Sequence, residues 1–217
     1  MHMKPIRLII FDLDGTLVNT LEDITHSVNF TLGRLGRPLL HLDTVRQYVG
    51  DGMEMLLTRA LGGHTDLLEE AKGIYTVHQS GNLAVSSRLY PGVKETLEHF
   101  RALPMAVVTN KTLEFSEPLL EQLGIRPYFG MIIGADAGLP LKPAPDAFLS
   151  IMRRLAIPKE HTVVVGDGTT DVLAGKAAGI TTCSVTYGFR SEEELRRAGP
   201  DHVIHAITEL QGLFAIG

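Results

Sequence analysis

The sequence predicts an α/β fold: an open, doubly wound parallel sheet that carries an inserted α-helical cap domain. Three observations lead there. Short apolar runs recur along the chain, helical segments separate them, and one long helical block interrupts the alternation. The first run is 6–11 (IRLIIF). It is followed by 105–109 (MAVVT), Met131–Ile133, Thr162–Gly166 (TVVVG), Thr181–Val185 (TTCSV) and a short 203–204. Runs that are apolar throughout, rather than at alternate positions, suit parallel strands covered on both faces. Helices are expected over 93–102, 113–123, 145–155, 172–178 and 192–197. Gly124 and Gly179 stand where a helix C-terminus favours a left-handed residue. Strand and helix in turn are the mark of an open α/β sheet.

The interruption lies between the first two strands. Residues 20–35, 43–48, 53–61 and 67–79 read as helices, and in the last of these Leu67, Leu68, Ala71, Ile74 and Tyr75 recur at helical spacing. A block this long is too large for an ordinary crossover. It is therefore assigned to a cap domain at 18–85, with 1–17 and 86–217 forming the core and the joints near 17–20 and 85–90.

Size and composition restrict the function. A chain of 217 residues with 44% hydrophobic and 21% charged residues packs a core and is not disordered. Its formal charge of −5 is mild and its Lys and Arg are scattered, which argues against a nucleic-acid partner. No apolar run approaches the ~20 residues that span a bilayer, so no membrane partner is expected. Met1-His2-Met3 is too short for a signal peptide. Cys183 is the only cysteine and lies in a buried strand pattern, so a reducing cytoplasm is the expected location. A monomer or homodimer is expected. The histidines show no metal-binding spacing.

Open α/β sheets bind ligands at the carboxyl ends of their strands. There the first strand runs into Asp12-Leu13-Asp14-Gly15-Thr16, and the second ends at Thr109-Asn110-Lys111. Lys142 precedes Pro143 at a helix entrance, and the strand Thr162–Gly166 leads to Asp167, with Asp171 shortly after. Any one of these groups is unremarkable in a turn or a cap. Their joint placement at strand ends is not.

In order and spacing the four segments resemble the four motifs of the haloacid dehalogenase-like (HAD) hydrolase superfamily, and the resemblance extends over the whole chain, the cap position included. It implies a Rossmann-like core and a phosphatase of small phosphorylated metabolites. Asp12 would be the carboxylate nucleophile, splitting hydrolysis into two easier transfers. Asp14 would protonate the leaving alkoxide and later deprotonate the attacking water. Thr109 and the Asn110 backbone N–H would donate to the phosphoryl oxygens, and Lys142 would bring positive charge to them and to Asp12. Four aspartates converging on one lysine demand a cation, because two like charges ~4 Å apart repel by about 4 kcal/mol at an effective dielectric near 20. Mg2+ suits such oxygen ligands. The resemblance assigns it to Asp12, the Asp14 carbonyl and Asp167, with Asp171 either ligating the ion or orienting Lys142.

Two positions depart from the family pattern. Many relatives are acidic where Asn19 stands, which bears on the hinge, and many have serine where Gly168 stands, which bears on metal affinity. The second aspartate separates the chain from the dehalogenases, which have no leaving oxygen to protonate. The cap segment Tyr48-Val49-Gly50-Asp51-Gly52 with Arg59-Ala60-Leu61 is similar to that of phosphoglycolate phosphatases. Gly50 would then belong to a flexible loop over the site, and Arg59 would grip a substrate carboxylate. The competing expectations are a phosphosugar mutase resembling β-phosphoglucomutase, a pyrophosphatase or nucleotidase, and a silent regulatory scaffold.

Overall fold

A computed structural model describes residues 3–217; Met1 and His2 lie outside the described residues. In chain order the first elements are β1 (Lys4–Ile6), β2 (Leu8–Phe11), β3 (Val18–Asn19), α1 (Leu21–Arg34), α2 (Leu42–Tyr48), α3 (Met53–Ala60), α4 (Leu68–Ser80) and β4 (Arg88–Leu89). There follow α5 (Val93–His99), β5 (Met105–Val108), α6 (Leu113–Gln122), β6 (Met131–Ile133), α7 (Asp146–Leu155), β7 (Thr162–Gly166) and α8 (Thr169–Ala178). The chain closes with β8 (Thr181–Val185), α9 (Glu192–Ala198), β9 (His202–Ile204), α10 (Leu210–Leu213) and β10 (Phe214–Ile216).

Six strands form one parallel sheet in the order β6-β5-β2-β7-β8-β9. The expected doubly wound α/β class is the one observed. Side chains of a strand alternate between faces, and the buried residues sort accordingly. Ile9, Phe11, Val107 and Val165 pack with α5 and α6 on one face, through Val93, Leu97 and Leu119. Leu8, Ile10, Ala106 and Val164 pack with α7 and α8 on the other, through Phe148, Ile151 and Ala174.

Between β3 and β4 lies the helical block. It has its own core, in which Ile24 and Val28 of α1 meet Val45 of α2, Leu56 and Leu57 of α3, and Ala71 and Tyr75 of α4. Its two connections to the sheet run antiparallel, with Val18 opposite Leu89 and Asn19 opposite Arg88. Beside them the buried carboxylate of Asp23 accepts hydrogen bonds from the backbone N–H groups of Ser86 and Ser87, and from the Ser87 hydroxyl at 2.6 Å. The two chain crossings are thereby bound to each other.

The expected single strand at 6–11 is divided at Arg7, whose N–H bonds the His161 carbonyl at 2.8 Å. Ile6 then pairs with β10, while Leu8 joins the main sheet beside β7. β3, β4, α10 and β10 are not in the sequence reading. Each spans two to four residues, too few for a period to register. The helix expected from Val172 begins at Thr169, which puts Asp171 in its first turn. Among the described residues, no helix is long and apolar enough to cross a membrane.

Candidate active site

β5, β2 and β7 are neighbours, and the register sets Phe11 beside Val107 on one side and Val165 on the other. Asp12, Thr109 and Asp167, each just past its strand, therefore emerge at nearly one level. The Asp12 N–H extends the ladder by bonding the Val165 carbonyl at 2.9 Å.

Lys142 sits among them with a side chain only 3% exposed. Its three N–H donors are all placed: on Asp12 Oδ1 at 2.7 Å, Asp171 Oδ1 at 2.7 Å and the Val108 carbonyl at 2.8 Å. Burial opposes its charge, but Asp12 and Asp171 outweigh that and hold its pKa above the usual lysine value. The second oxygen of Asp171 accepts the Gly168 N–H at 3.1 Å. Asp171 is thus in direct contact with Lys142, as one of the two roles left open by the sequence requires.

Asp167 is held equally firmly. Its Oδ1 accepts the Thr16 hydroxyl at 2.9 Å and its Oδ2 accepts the Phe189 N–H at 2.7 Å. Gly15, at φ +90°, lies so close that a Cβ there would run into the Asp167 carboxylate. Even so, burial pushes the Asp167 carboxyl up to about 6, against the pull of the Phe189 N–H. Burial also raises Asp12 well above the ordinary carboxylate range, and Lys142 offsets this only in part.

These shifts test the metal. Oxygens of Asp12, Asp167 and Asp171 lie within 4.8 Å of one another, and the protein alone does not neutralise them. Three hard oxygen donors in a group short of positive charge fit Mg2+. The Asp14 carboxylate stands apart from this cluster. It accepts the Thr20 hydroxyl at 2.7 Å and the Lys111 ammonium at 3.2 Å on each oxygen. The four-to-one charge count is therefore corrected: two lysines serve two separate groups, Lys142 with Asp12 and Asp171, Lys111 with Asp14. Lys111 was visible at the strand end but had no role in the sequence reading.

Thr109 Oγ1 accepts the Lys111 N–H at 3.1 Å, which leaves its own O–H to donate into the cleft it lines. The Asn110 side chain donates to the Gly50 carbonyl at 2.9 Å and the Lys142 carbonyl at 3.0 Å, and accepts the Lys142 N–H at 3.0 Å. It joins the helical block to two core motifs. Arg190 makes a second joint, donating to the carbonyls of Val49 at 2.6 Å and Arg46 at 3.2 Å. Gly50 lines the cleft as expected. Arg59 does not: it pairs with Asp51 at 2.6 Å and donates to the Tyr48 carbonyl, so it braces the loop and neutralises Asp51. The cleft next to Asp12 has a volume of about 60 Å³. Its helical wall is formed by Ile24, Val49, Met53, Leu56 and Tyr75.

Residues 9–185 match the family model described as haloacid dehalogenase-like hydrolase, and the chain belongs to that family. It is similar to proteins named phosphoglycolate phosphatase. One from Vibrio parahaemolyticus is 38% identical over 230 residues, covering 100% of this chain and 99% of that protein. One from Nitrosococcus oceani is 35% identical over 221 residues, covering 98% of each. A crystal structure described as a predicted phosphoglycolate phosphatase from Haemophilus somnus superposes with a TM-score of 0.91 at 31% identity, covering 95% of this chain and 97% of that one. The chain is a hydrolase of the phosphatase kind within this family.

Proposed function

We propose that this enzyme is a cytoplasmic, magnesium-dependent phosphatase that hydrolyses 2-phosphoglycolate through a phospho-aspartyl intermediate on Asp12. The observation that carries the reading is the separation of two carboxylates. Asp12 is bound to Lys142, while Asp14, two residues on, is bound to Thr20 and Lys111. One aspartate is thereby equipped to attack phosphorus and the other to handle protons.

An Asp12 oxygen attacks phosphorus and the P–O bond to the leaving group breaks. Asp14 in its protonated form gives its proton to the departing oxygen. Asp14 then takes a proton from water as the water oxygen attacks phosphorus, the P–O bond to Asp12 breaks, and inorganic phosphate leaves. Thr109 donates to the phosphoryl oxygens, and the positive charge of Lys142, beside Asp12, stabilises their negative charge. Asp12, Asp167 and the Asp14 carbonyl would hold Mg2+, which supplies further charge neutralisation at the phosphoryl group. The helical block acts as the cap domain, excluding water from the cleft through Gly50 and its neighbours.

The helical wall of the cleft is apolar at Ile24, Val49, Met53 and Leu56. Such a wall offers few hydrogen-bond partners to the hydroxyls of a hexose, which favours the phosphatase over the phosphosugar mutase. Phosphate release should be measured from 2-phosphoglycolate, hexose phosphates, nucleotides and pyrophosphate, each with and without EDTA. A dominant 2-phosphoglycolate signal that chelation abolishes is expected. Sugar-biased release would discard the substrate assignment, and release that survives EDTA would discard the metal.

A further inference from the structure

The sequence reading gave the substrate carboxylate to Arg59, but Asp51 and the Tyr48 carbonyl already engage that guanidinium. An anionic leaving group needs another partner. The cleft wall is apolar at Ile24, Val49, Met53, Leu56 and Phe115. Two of the polar side chains that also line it have hydrogen-bonding capacity to spare.

Lys111 has three N–H donors, and both of its side-chain contacts are to the single carboxylate of Asp14. Its side chain is 8% exposed, so the spare donor is not lost to bulk water. Tyr75 of α4 is 3% exposed, and its hydroxyl has no hydrogen-bond partner among the described residues. Burial raises its phenol, with Asp14 adding to the shift, so the hydroxyl keeps its proton and remains a donor. A buried polar atom left without a partner costs free energy unless a ligand satisfies it.

We propose that Lys111 and Tyr75 form the seat for a carboxylate on the substrate's leaving group. The seat makes the enzyme selective for phosphate esters of small hydroxy acids over those of neutral alcohols. It rests on the phosphatase reading above and adds to it the recognition of the non-reacting end. In a 2-phospho acid one carbon separates the carboxylate from the ester oxygen. A carboxylate bound to Lys111 therefore brings that oxygen beside Asp14, the group that must protonate it, so one ammonium positions the acid and the substrate together. The apolar remainder of the wall offers nothing to the hydroxyls of a sugar.

The test compares kcat/KM for 2-phosphoglycolate and ethyl phosphate in the Mg2+-loaded wild type, Tyr75→Phe and Lys111→Gln. Wild type should strongly prefer 2-phosphoglycolate. The preference should fall about tenfold in Tyr75→Phe, mainly through KM, and by about 10- to 100-fold in Lys111→Gln, in line with losing a hydrogen bond to a charged group. Lys111→Gln also slows both esters through Asp14, so the ratio is the readout and not the rate. Lys111→Arg should restore part of the preference. A ratio within about twofold of wild type in both Tyr75→Phe and Lys111→Gln, with 2-phosphoglycolate still turned over by wild type, would overturn the seat and leave the phosphatase reading standing. Equal use of the two esters by wild type would likewise overturn the seat alone. Release from neither would overturn both.

Discussion

From the sheet side, the cleft is lined by Asp12 and Asp14, with Lys142 and Asp167 beside them, and all four are tied into ion pairs or backbone hydrogen bonds. From the helical side it is faced by Met53, Leu56 and Tyr75, which bring apolar surface and a single free hydroxyl. Moving a sheet-side group means breaking a charged hydrogen bond in a buried place, at about 1.5–3 kcal/mol each. Moving or replacing a helical-side group changes packing, and exchanges of similar volume cost less than about 1.5 kcal/mol. The first wall is therefore suited to chemistry that needs fixed geometry. The second is suited to setting which leaving group fits.

Changes on the sheet side should then have the largest effects. Asp12→Asn keeps the volume and removes the nucleophile. Turnover should fall by about 10⁴-fold or more with the circular dichroism spectrum intact; activity within tenfold of wild type would move the attack to another group. Lys142→Met strands two buried carboxylates. It should cost about 3–5 kcal/mol in urea unfolding of the EDTA-treated protein at neutral pH, and a loss below ~1 kcal/mol would mean that the pair is not what holds this wall.

The acidic cluster also predicts a pH dependence. Asp167 is pushed up to about 6 in the folded protein, against ~3.9 when unfolded. Between those values the folded state binds the proton and the unfolded state does not, so stability falls as pH rises from about 4 to about 6. The loss is roughly 2–3 kcal/mol for this group. Above that window Asp167 is ionised and ready for a cation. Mg2+ should therefore raise Tm more near pH 7 than near pH 5; equal increments would separate metal binding from these aspartates.

On the helical side the smallest effect belongs to Arg59→Ala. Its pair with Asp51 is one-third exposed on both partners, so stability should change by less than ~1 kcal/mol. KM should shift alike for 2-phosphoglycolate and p-nitrophenyl phosphate. A selective rise for 2-phosphoglycolate would return carboxylate recognition to Arg59 and erase the contrast between the walls.

The same contrast governs what could be read from the sequence. The strands of the main sheet were legible because their residues are buried on both faces, which leaves an apolar run such as TVVVG. The groups at their ends were legible because a parallel sheet brings its strand ends together. Contacts made across the cleft were not. Nothing local to Arg59 says that Asp51 will take its guanidinium, and Lys111 looks like any solvated lysine until Asp14 is seen beside it. Tyr75 was read as one of a helical row of apolar positions, and it is; only the fold puts its hydroxyl next to a cavity. β10 was missed because what makes it a strand is β1, some two hundred residues away in sequence.

Asn110 touches three backbone groups on two separate stretches at once: the Gly50 carbonyl on the helical side, and the N–H and carbonyl of Lys142 on the sheet side. In workshop language it is a datum. When two parts are each located from a third, their errors do not add, and the gap between them is held more closely than if either were located from the other through a long chain of intermediates. Here the gap is the one between the roof loop and the ammonium that grips Asp12, and the whole reference surface is one amide.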